Sequence, residues 1–383
     1  MSFTLTPDQE LLRSTVAQFV DREVIPHRAE WDRAEQVDRS IVGKLAALGL
    51  LGVTIPEEYG GTPADHRAYC VVMEELGRGD SSVRGIVSVS LGLFGKTIHA
   101  EGTAEQKARW LPRICAGQSI GCYALTEPDV GSDAGHLAMR AERDGGDWLL
   151  TGEKVFITNG TWADLALVFA RTGGDGPRGI TAFVVSTDAT GFSSTEITGK
   201  LGLRGQATAS LRLDGVRVPD ANRLGDEGRG FKIAMGALNR GRMSLAAGCV
   251  GVCRGCLESA VSYATERIQF GKPLAGHQLV QEMIADIAVE TDAARALTWV
   301  VADLADAGER FELAASKAKY FASEAAVRCA NRALQVFGGY GYIDEYPVGK
   351  YLRDARVTTL YEGTSQVQKL IIGQALTGIS AFS

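Results

Sequence analysis

The chain has 383 residues, with 40 Lys+Arg against 46 Asp+Glu, 45% hydrophobic and 22% charged residues. Those figures exclude a disordered chain, a collagen and a disulfide-stapled miniprotein, and the length suits two or three domains. A net charge of −6 argues against a general nucleic-acid binder, which needs clustered Lys and Arg for the phosphates. Apolar runs such as 165–170 and 180–185 are far shorter than the roughly 20 residues a bilayer requires. The early Asp8, Glu10 and Asp21 do not match a signal peptide's basic-then-apolar start, so a cytoplasmic protein is expected.

Residues 1–118 read as helices. Thr6-Pro7-Asp8-Gln9 is a capping-box start, and Leu12, Val16, Phe19 and Val20 recur on one helical face. A second apolar face, Ile41, Leu45 and Leu48, stops at Gly49. Helical periodicity resumes over 69–76. Residues 119–227 read as strands. Two runs, 148–151 and 154–158, flank Gly152-Glu153 and predict a hairpin there. Leu211, Leu213, Val216 and Val218 alternate with Arg212, Asp214 and Arg217, which predicts a half-buried antiparallel edge. Residues 228–383 return to amphipathic helices over about 231–266, 276–308, 312–337 and 346–376. The order helices, strands, helices predicts an α+β protein with an all-β domain between two helical ones.

The seven cysteines sit mostly in apolar or helical text and are expected to be buried and reduced. Cys253 and Cys256 have CxxC spacing but lack a second pair or a βαβ context, and the histidines form no metal set. Glycine-rich 225–230 runs GxxGxG after a β-domain rather than GxGxxG inside a βαβ unit, so a turn into the next domain is expected there.

Three stretches carry candidate chemistry. In 123–133 (YALTEPDVGSD) a strand is expected to end at Thr126. A turn with free N–H groups and the Ser132 hydroxyl follows. It suits an anionic or heterocyclic ligand, or it is an ordinary surface turn. In 156–160 Phe156 and Thr158 fall on one strand face, which suits a flat ring or simple core packing. In 351–368 Glu362 follows Val357 and Leu360. An apolar setting raises a carboxyl pKa toward a general base's working range, while a helix-terminal acid is the plainer alternative.

Together these stretches resemble the acyl-CoA dehydrogenase family over nearly the whole chain. ALTEPDVGSD and YEGTSQVQ are similar to its signature regions. ERIQFGKPLAGHQ (266–278) and QVFGGYGY (335–342) are similar to its cofactor contacts. The resemblance implies a helical N-terminal domain, a middle β-barrel domain and a C-terminal four-helix bundle, usually in a homotetramer built as a dimer of dimers. It implies FAD, with Tyr123, Leu125, Thr126 and Ser132 lining the flavin and Phe156 and Thr158 beside its ring. Arg267, Phe270, Gln278, Gln335, Gly338 and Gly339 would reach the FAD of a neighbouring subunit. Thr364 and Gln366 would hold the adenosine-diphosphate part.

In that scheme Glu362 is the catalytic base. It removes the α-proton of an acyl-CoA while flavin N5 takes the β-hydride, giving a trans-2-enoyl-CoA. Ser132, Asn239, Arg242 and Gly363 contact the substrate, and an electron-transfer flavoprotein accepts the electrons. Two departures stand out. Phe156 replaces the family's frequent Trp. Gly241 occupies the position where some members carry the base. A carrier-protein thioester is the alternative substrate, and a non-catalytic flavin-binding homologue is the alternative class.

Overall fold

The computed structural model describes residues 4–381. The first helices are α1 (Pro7–Phe19), α2 (Arg28–Ala34), α3 (Ile41–Ala47), α4 (His66–Gly79), α5 (Ser81–Val87), α6 (Lys96–Glu101) and α7 (Ala104–Cys115). The Thr6 hydroxyl accepts the Gln9 N–H, and Gln9 accepts the Thr6 N–H in return, so the expected capping box starts α1. Val16, Phe19 and Val20 are buried. Leu48 lies just past the end of α3 and is 38% exposed, so it does not extend the buried face of Ile41 and Leu45. Between α5 and α6 the chain winds as a π-helix over Ser88–Gly95, a wider winding that recurs at functional sites.

The strands are β1 (Gly121–Ala124), β2 (Arg140–Asp144), β3 (Asp147–Thr158), β4 (Leu165–Arg171), β5 (Ile180–Ser186), β6 (Phe192–Glu196), β7 (Thr208–Pro219) and β8 (Arg223–Leu224). They form one sheet in the order β6-β7-β3-β2-β4-β5-β8, with β1 paired to β4. β4 and β5 are buried almost throughout, as their unbroken apolar text requires.

Three expectations change here. The predicted hairpin at Gly152-Glu153 is absent: β3 runs straight through, and the tight turn lies at Gly145-Gly146, where Asp144 pairs with Asp147. Gly152 instead marks a register shift in β3, and a side chain there would meet the Met139 Cα at 2.9 Å. β7 keeps its buried–exposed alternation but lies between β3 and β6 over Ala209–Leu213, so β6 is the edge. β1 ends at Ala124, two residues before the predicted strand end, and Glu127 bridges Val130 in a tight turn.

The C-terminal elements are α8 (Gly230–Glu266), a short hairpin of β9 (Ile268–Gln269) and β10 (Lys272–Pro273), α9 (Gln278–Asp306), α10 (Glu312–Phe337), α11 (Val348–Thr358) and α12 (Ser365–Thr377). The glycine-rich 225–230 segment is the turn entering α8. α10 ends at Gly338, φ 61°, as its glycines predict. The last predicted helix is two. Glu362 at φ 55° and Gly363 at φ 85° are left-handed, which no α-helix continues. α8 is the core helix, packed on α4, α9 and α10. All seven cysteines are buried thiols.

Candidate active site

The break between α11 and α12 places Glu362 against α8. A Cβ at Gly241 would stand 2.5 Å from Glu362 Oε2, so the carboxyl packs close against the α8 backbone, in the space a side chain at 241 would take. Oε2 is shut from solvent and has no hydrogen-bond partner. Burial pushes its pKa up to about 7, against the opposing pull of Arg84, Lys319 and Arg242.

The turn that carries Glu362 is held by its backbone. The Glu362 carbonyl accepts Arg242 Nε at 3.3 Å and Gln368 Nε2 at 3.2 Å. The Gly363 carbonyl accepts Lys319 Nζ at 2.7 Å and Gln368 Nε2 at 3.1 Å. Arg242 also donates to Asn239 Oδ1 at 2.8 Å, so these two predicted substrate contacts form one unit on α8. Arg84 donates to the Tyr361 hydroxyl at 2.9 Å. Three cations thus brace the turn without neutralising its carboxylate, which keeps a strained residue in place.

On the sheet side, Tyr123 is buried and its hydroxyl donates to the Ala234 carbonyl on α8 at 3.2 Å. The Leu125 carbonyl accepts Lys154 Nζ at 3.0 Å, and the same ammonium reaches Glu127 Oε1 at 2.8 Å. Glu127 further accepts the N–H groups of Ala138 and Met139. This buried pair ties both ends of the 125–139 loop to β3, leaving Ser132 exposed at its tip. Thr126 is half-buried, and its carbonyl accepts the Val155 N–H. The register of β3 slips between Lys154 and Ile157. Phe156 sits in that irregularity at φ 59°, 67% exposed. The predicted strand alternation is broken there, yet Phe156 still stands clear of the core beside half-buried Thr158, which donates to Gln206 at 3.3 Å.

The remaining predicted cofactor contacts lie elsewhere. Arg267, Gly338 and Gly339 line one cleft of about 510 Å³, with Arg267 over the Tyr340 ring at 5.5 Å. Phe270, 94% exposed, tips the β9–β10 turn, while Gln278 opens α9 and Gln335 lies on the last turn of α10. Among the described residues, no hydrogen bond or ring contact links this group to Thr126, Ser132 or Phe156. Thr364 caps α12 by accepting the Val367 N–H at 3.2 Å, and exposed Gln366 follows it.

Sequence reasoning missed Glu127, Lys154, Lys319, Gln368 and Arg84. Lys154 follows Trp148 and Leu150 on the core-facing phase of β3, and Lys319 lies among Ala315, Ala318 and Ala322 on the buried stripe of α10. A lysine on an apolar phase requires a buried partner, and that signal was legible.

The arrangement fits a flavin. Exposed Phe156 and half-buried Thr158 lie close together at the end of β3. Gly131, Gly338 and Gly339 each have open space where a side chain would start, so ligand atoms can approach their backbone. Sequence profiles of the acyl-CoA dehydrogenase N-terminal, middle and C-terminal domains match residues 6–118, 122–216 and 228–377. The chain belongs to the acyl-CoA dehydrogenase family. An acyl-CoA dehydrogenase of Bacillus subtilis is 42% identical over 98% of this chain and 99% of its own length. The structure of butyryl-CoA dehydrogenase from Megasphaera elsdenii matches with a TM-score of 0.96 at 37% identity, covering 98% of this chain and 100% of that one. Glutaryl-CoA dehydrogenase from Mycobacterium smegmatis, solved with FADH2, matches at 0.95 and 36%, covering 99% and 97%. As an acyl-CoA dehydrogenase family member, the chain is an FAD-dependent oxidoreductase acting on acyl-CoA.

Proposed function

We propose that the protein converts an acyl-CoA to its trans-2-enoyl-CoA, with Glu362 as the base that removes the α-proton. The observation that carries this reading is the Glu362 carboxyl, whose Oε2 is buried and unpartnered and whose pKa is raised to about 7. A carboxylate that spends no lone pair on the protein is free to accept a substrate proton, and a value near neutrality is efficient for a general base. FAD, held by Phe156, Thr158 and the 123–132 loop, supplies the hydride acceptor when bound. Arg242, Gln368 and Lys319 hold the turn so that the carboxylate and the Glu362 N–H keep a fixed relation. That N–H, which no described residue accepts, can polarise the thioester carbonyl. The Glu127–Lys154 pair fixes the 125–139 loop to β3.

The exposed group of Arg267, Phe270, Gln278, Gln335, Gly338 and Gly339 serves the cofactor of a neighbouring copy in a homotetramer, and an electron-transfer flavoprotein takes the electrons. The enzyme works in the cytoplasm. The test is direct: anaerobic addition of an acyl-CoA to the purified yellow protein bleaches the flavin. Bleaching only by an acyl-carrier-protein thioester moves the substrate to a carrier-bound acyl group. No bleaching by either rejects the dehydrogenase reading.

A further inference from the structure

Three parts of the chain meet at a buried charge cluster on α11, the helix that leads into the Glu362 turn. Asp354 lies on the buried face of α11 with Tyr351, Ala355 and Thr358. It is 2% exposed, as is Asp80, which precedes α5. Lys350 Nζ stands between the two carboxylates, 2.6 Å from Asp354 Oδ2 and 2.8 Å from Asp80 Oδ2. Asp80 Oδ1 caps α5 by accepting the Ser82 and Val83 N–H groups. Asp354 Oδ1 accepts the Leu203 N–H at 2.7 Å. A buried ion cluster adds little net stability over apolar side chains of similar volume, while fixing a register is its best-attested use.

The loop that Asp354 grips is strained. Leu203 is buried and sits at φ 48°, a left-handed conformation that persists only where the surroundings enforce it. Here α11 enforces it. Arg353 donates to the Leu201 carbonyl at 3.2 Å, and Gly202 lies so close that a Cβ there would meet the Arg353 carbonyl. The loop then reaches Gln206, whose N–H donates to the Leu203 carbonyl at 3.0 Å and whose side chain accepts the Thr158 hydroxyl at 3.3 Å. In the other direction α11 ends at Thr358 and the Glu362 turn follows. Arg84 on α5 donates to the Tyr361 hydroxyl in that turn. Among the described residues, no hydrogen bond joins Thr158 or Gln206 to 359–363, so the polar link between the two sides runs through Asp354.

We infer that Asp354 is a positioning residue: by holding Leu203 against α11 it fixes the Thr158 side of the flavin site relative to the Glu362 carboxylate. The inference rests on the dehydrogenase reading above. Taking an α-proton and a β-hydride from one acyl chain needs both acceptors in place together, and a misplacement of about 1 Å costs on the order of a hundredfold in rate. Asp354 acts only through the loop and the turn.

The test uses the flavin-loaded holoenzyme and three variants. Asp354→Ala removes the tie, Asp354→Asn keeps an oxygen for the Leu203 N–H, and Gly202→Ala pushes the loop off α11 without changing charge. Asp354→Ala and Gly202→Ala are each expected to slow flavin reduction at saturating acyl-CoA about tenfold or more, with KM changed less than about threefold. Asp354→Asn recovers most of the rate. Without substrate, amide hydrogen exchange in Asp354→Ala quickens over 199–207 and over 359–363 together, which a purely local support of the loop would not produce. A folded, flavin-loaded Asp354→Ala or Gly202→Ala with the wild-type rate overturns the inference, and so does faster exchange confined to 199–207. If Asp354→Ala does not fold, Gly202→Ala decides by the same two readings. If no thioester reduces the wild-type flavin, the dehydrogenase reading falls and the positioning role with it, while the exchange pattern still shows whether Asp354 joins loop and turn.

Discussion

Glu127 and Glu362 both carry carboxyl oxygens withdrawn from water, and each has a fully buried lysine nearby. Lys154 donates straight to Glu127 Oε1 at 2.8 Å, and two backbone N–H groups take further lone pairs. Lys319 turns instead to the Gly363 carbonyl at 2.7 Å, and Glu362 Oε2 is left with nothing. The first carboxylate is saturated and can only hold structure. The second has lone pairs to offer a substrate and no partner to keep it charged. What separates a structural carboxylate from a chemical one here is the partner count: three donors reach Glu127, and none reaches Glu362 Oε2.

The sharpest way to break that contrast is to remove each charge in turn. Glu362→Gln is expected to slow flavin reduction by acyl-CoA roughly 10²–10⁴-fold, the usual contribution of a general base. Flavin content and fold should be retained, since no protein hydrogen bond to Oε2 is lost. An unchanged rate removes Glu362 as the base. Lys154→Met should act the other way. Leaving Glu127 charged and buried without its lysine costs about 3–5 kcal/mol, read as a lowered denaturant midpoint and early loss of flavin. A variant as stable as wild type would show that the backbone donors suffice for Glu127. Adding Glu127→Gln to Lys154→Met should recover part of the loss.

Much of the fold was legible in the sequence, while of the two carboxylates only Glu362 was. The capping box at Thr6, the glycines ending α10, the long helices and the order of domains followed from periodicity and turn chemistry, and Glu362 was found by its apolar setting together with the family resemblance. The hairpin at Gly152 failed because a glycine inside a strand can mark a turn or a bulge, and only pairing with β7 and the close approach of Met139 decide between them. The helix over 346–376 failed for a related reason: its periodicity carries on, while two left-handed residues at 362–363 interrupt the backbone. Lys154 and Lys319 went unread because their partners lie far away in sequence.

The pH dependence sharpens the comparison next. Glu362 must be ionised to act, so with its pKa near 7 kcat/KM should fall about tenfold per unit below that pH and level off above it. Stability moves in the opposite direction. The folded pKa is raised from 4.5 to about 7, so the unfolded chain gives up this proton first. Folding is therefore weakened by up to roughly 3 kcal/mol as pH rises from about 4.5 to about 7. Glu362→Gln lacks that term, and its stability advantage over wild type should grow across this window. An advantage that stays flat, or an acid limb near pH 4.5, would mean that Glu362 is as well solvated or partnered as an ordinary carboxylate.

The smallest effect belongs to Lys319→Met. Burial holds the Lys319 ammonium down to a pKa of about 8, and its charge pulls the Glu362 pKa down without bonding to the carboxyl. Losing that pull should move the acid limb of kcat/KM upward by a fraction of a unit, because desolvation, the larger cause, is untouched. The Gly363 carbonyl keeps Gln368 Nε2 at 3.1 Å, so the turn should survive and the loss of stability should stay well below that of Lys154→Met. A limb that moves down contradicts the sign of a cation's effect on a carboxylate. An unmoved limb combined with a large loss of stability would make Lys319 a structural lysine of the same kind as Lys154. The two lysines would then differ only in which oxygen they bind.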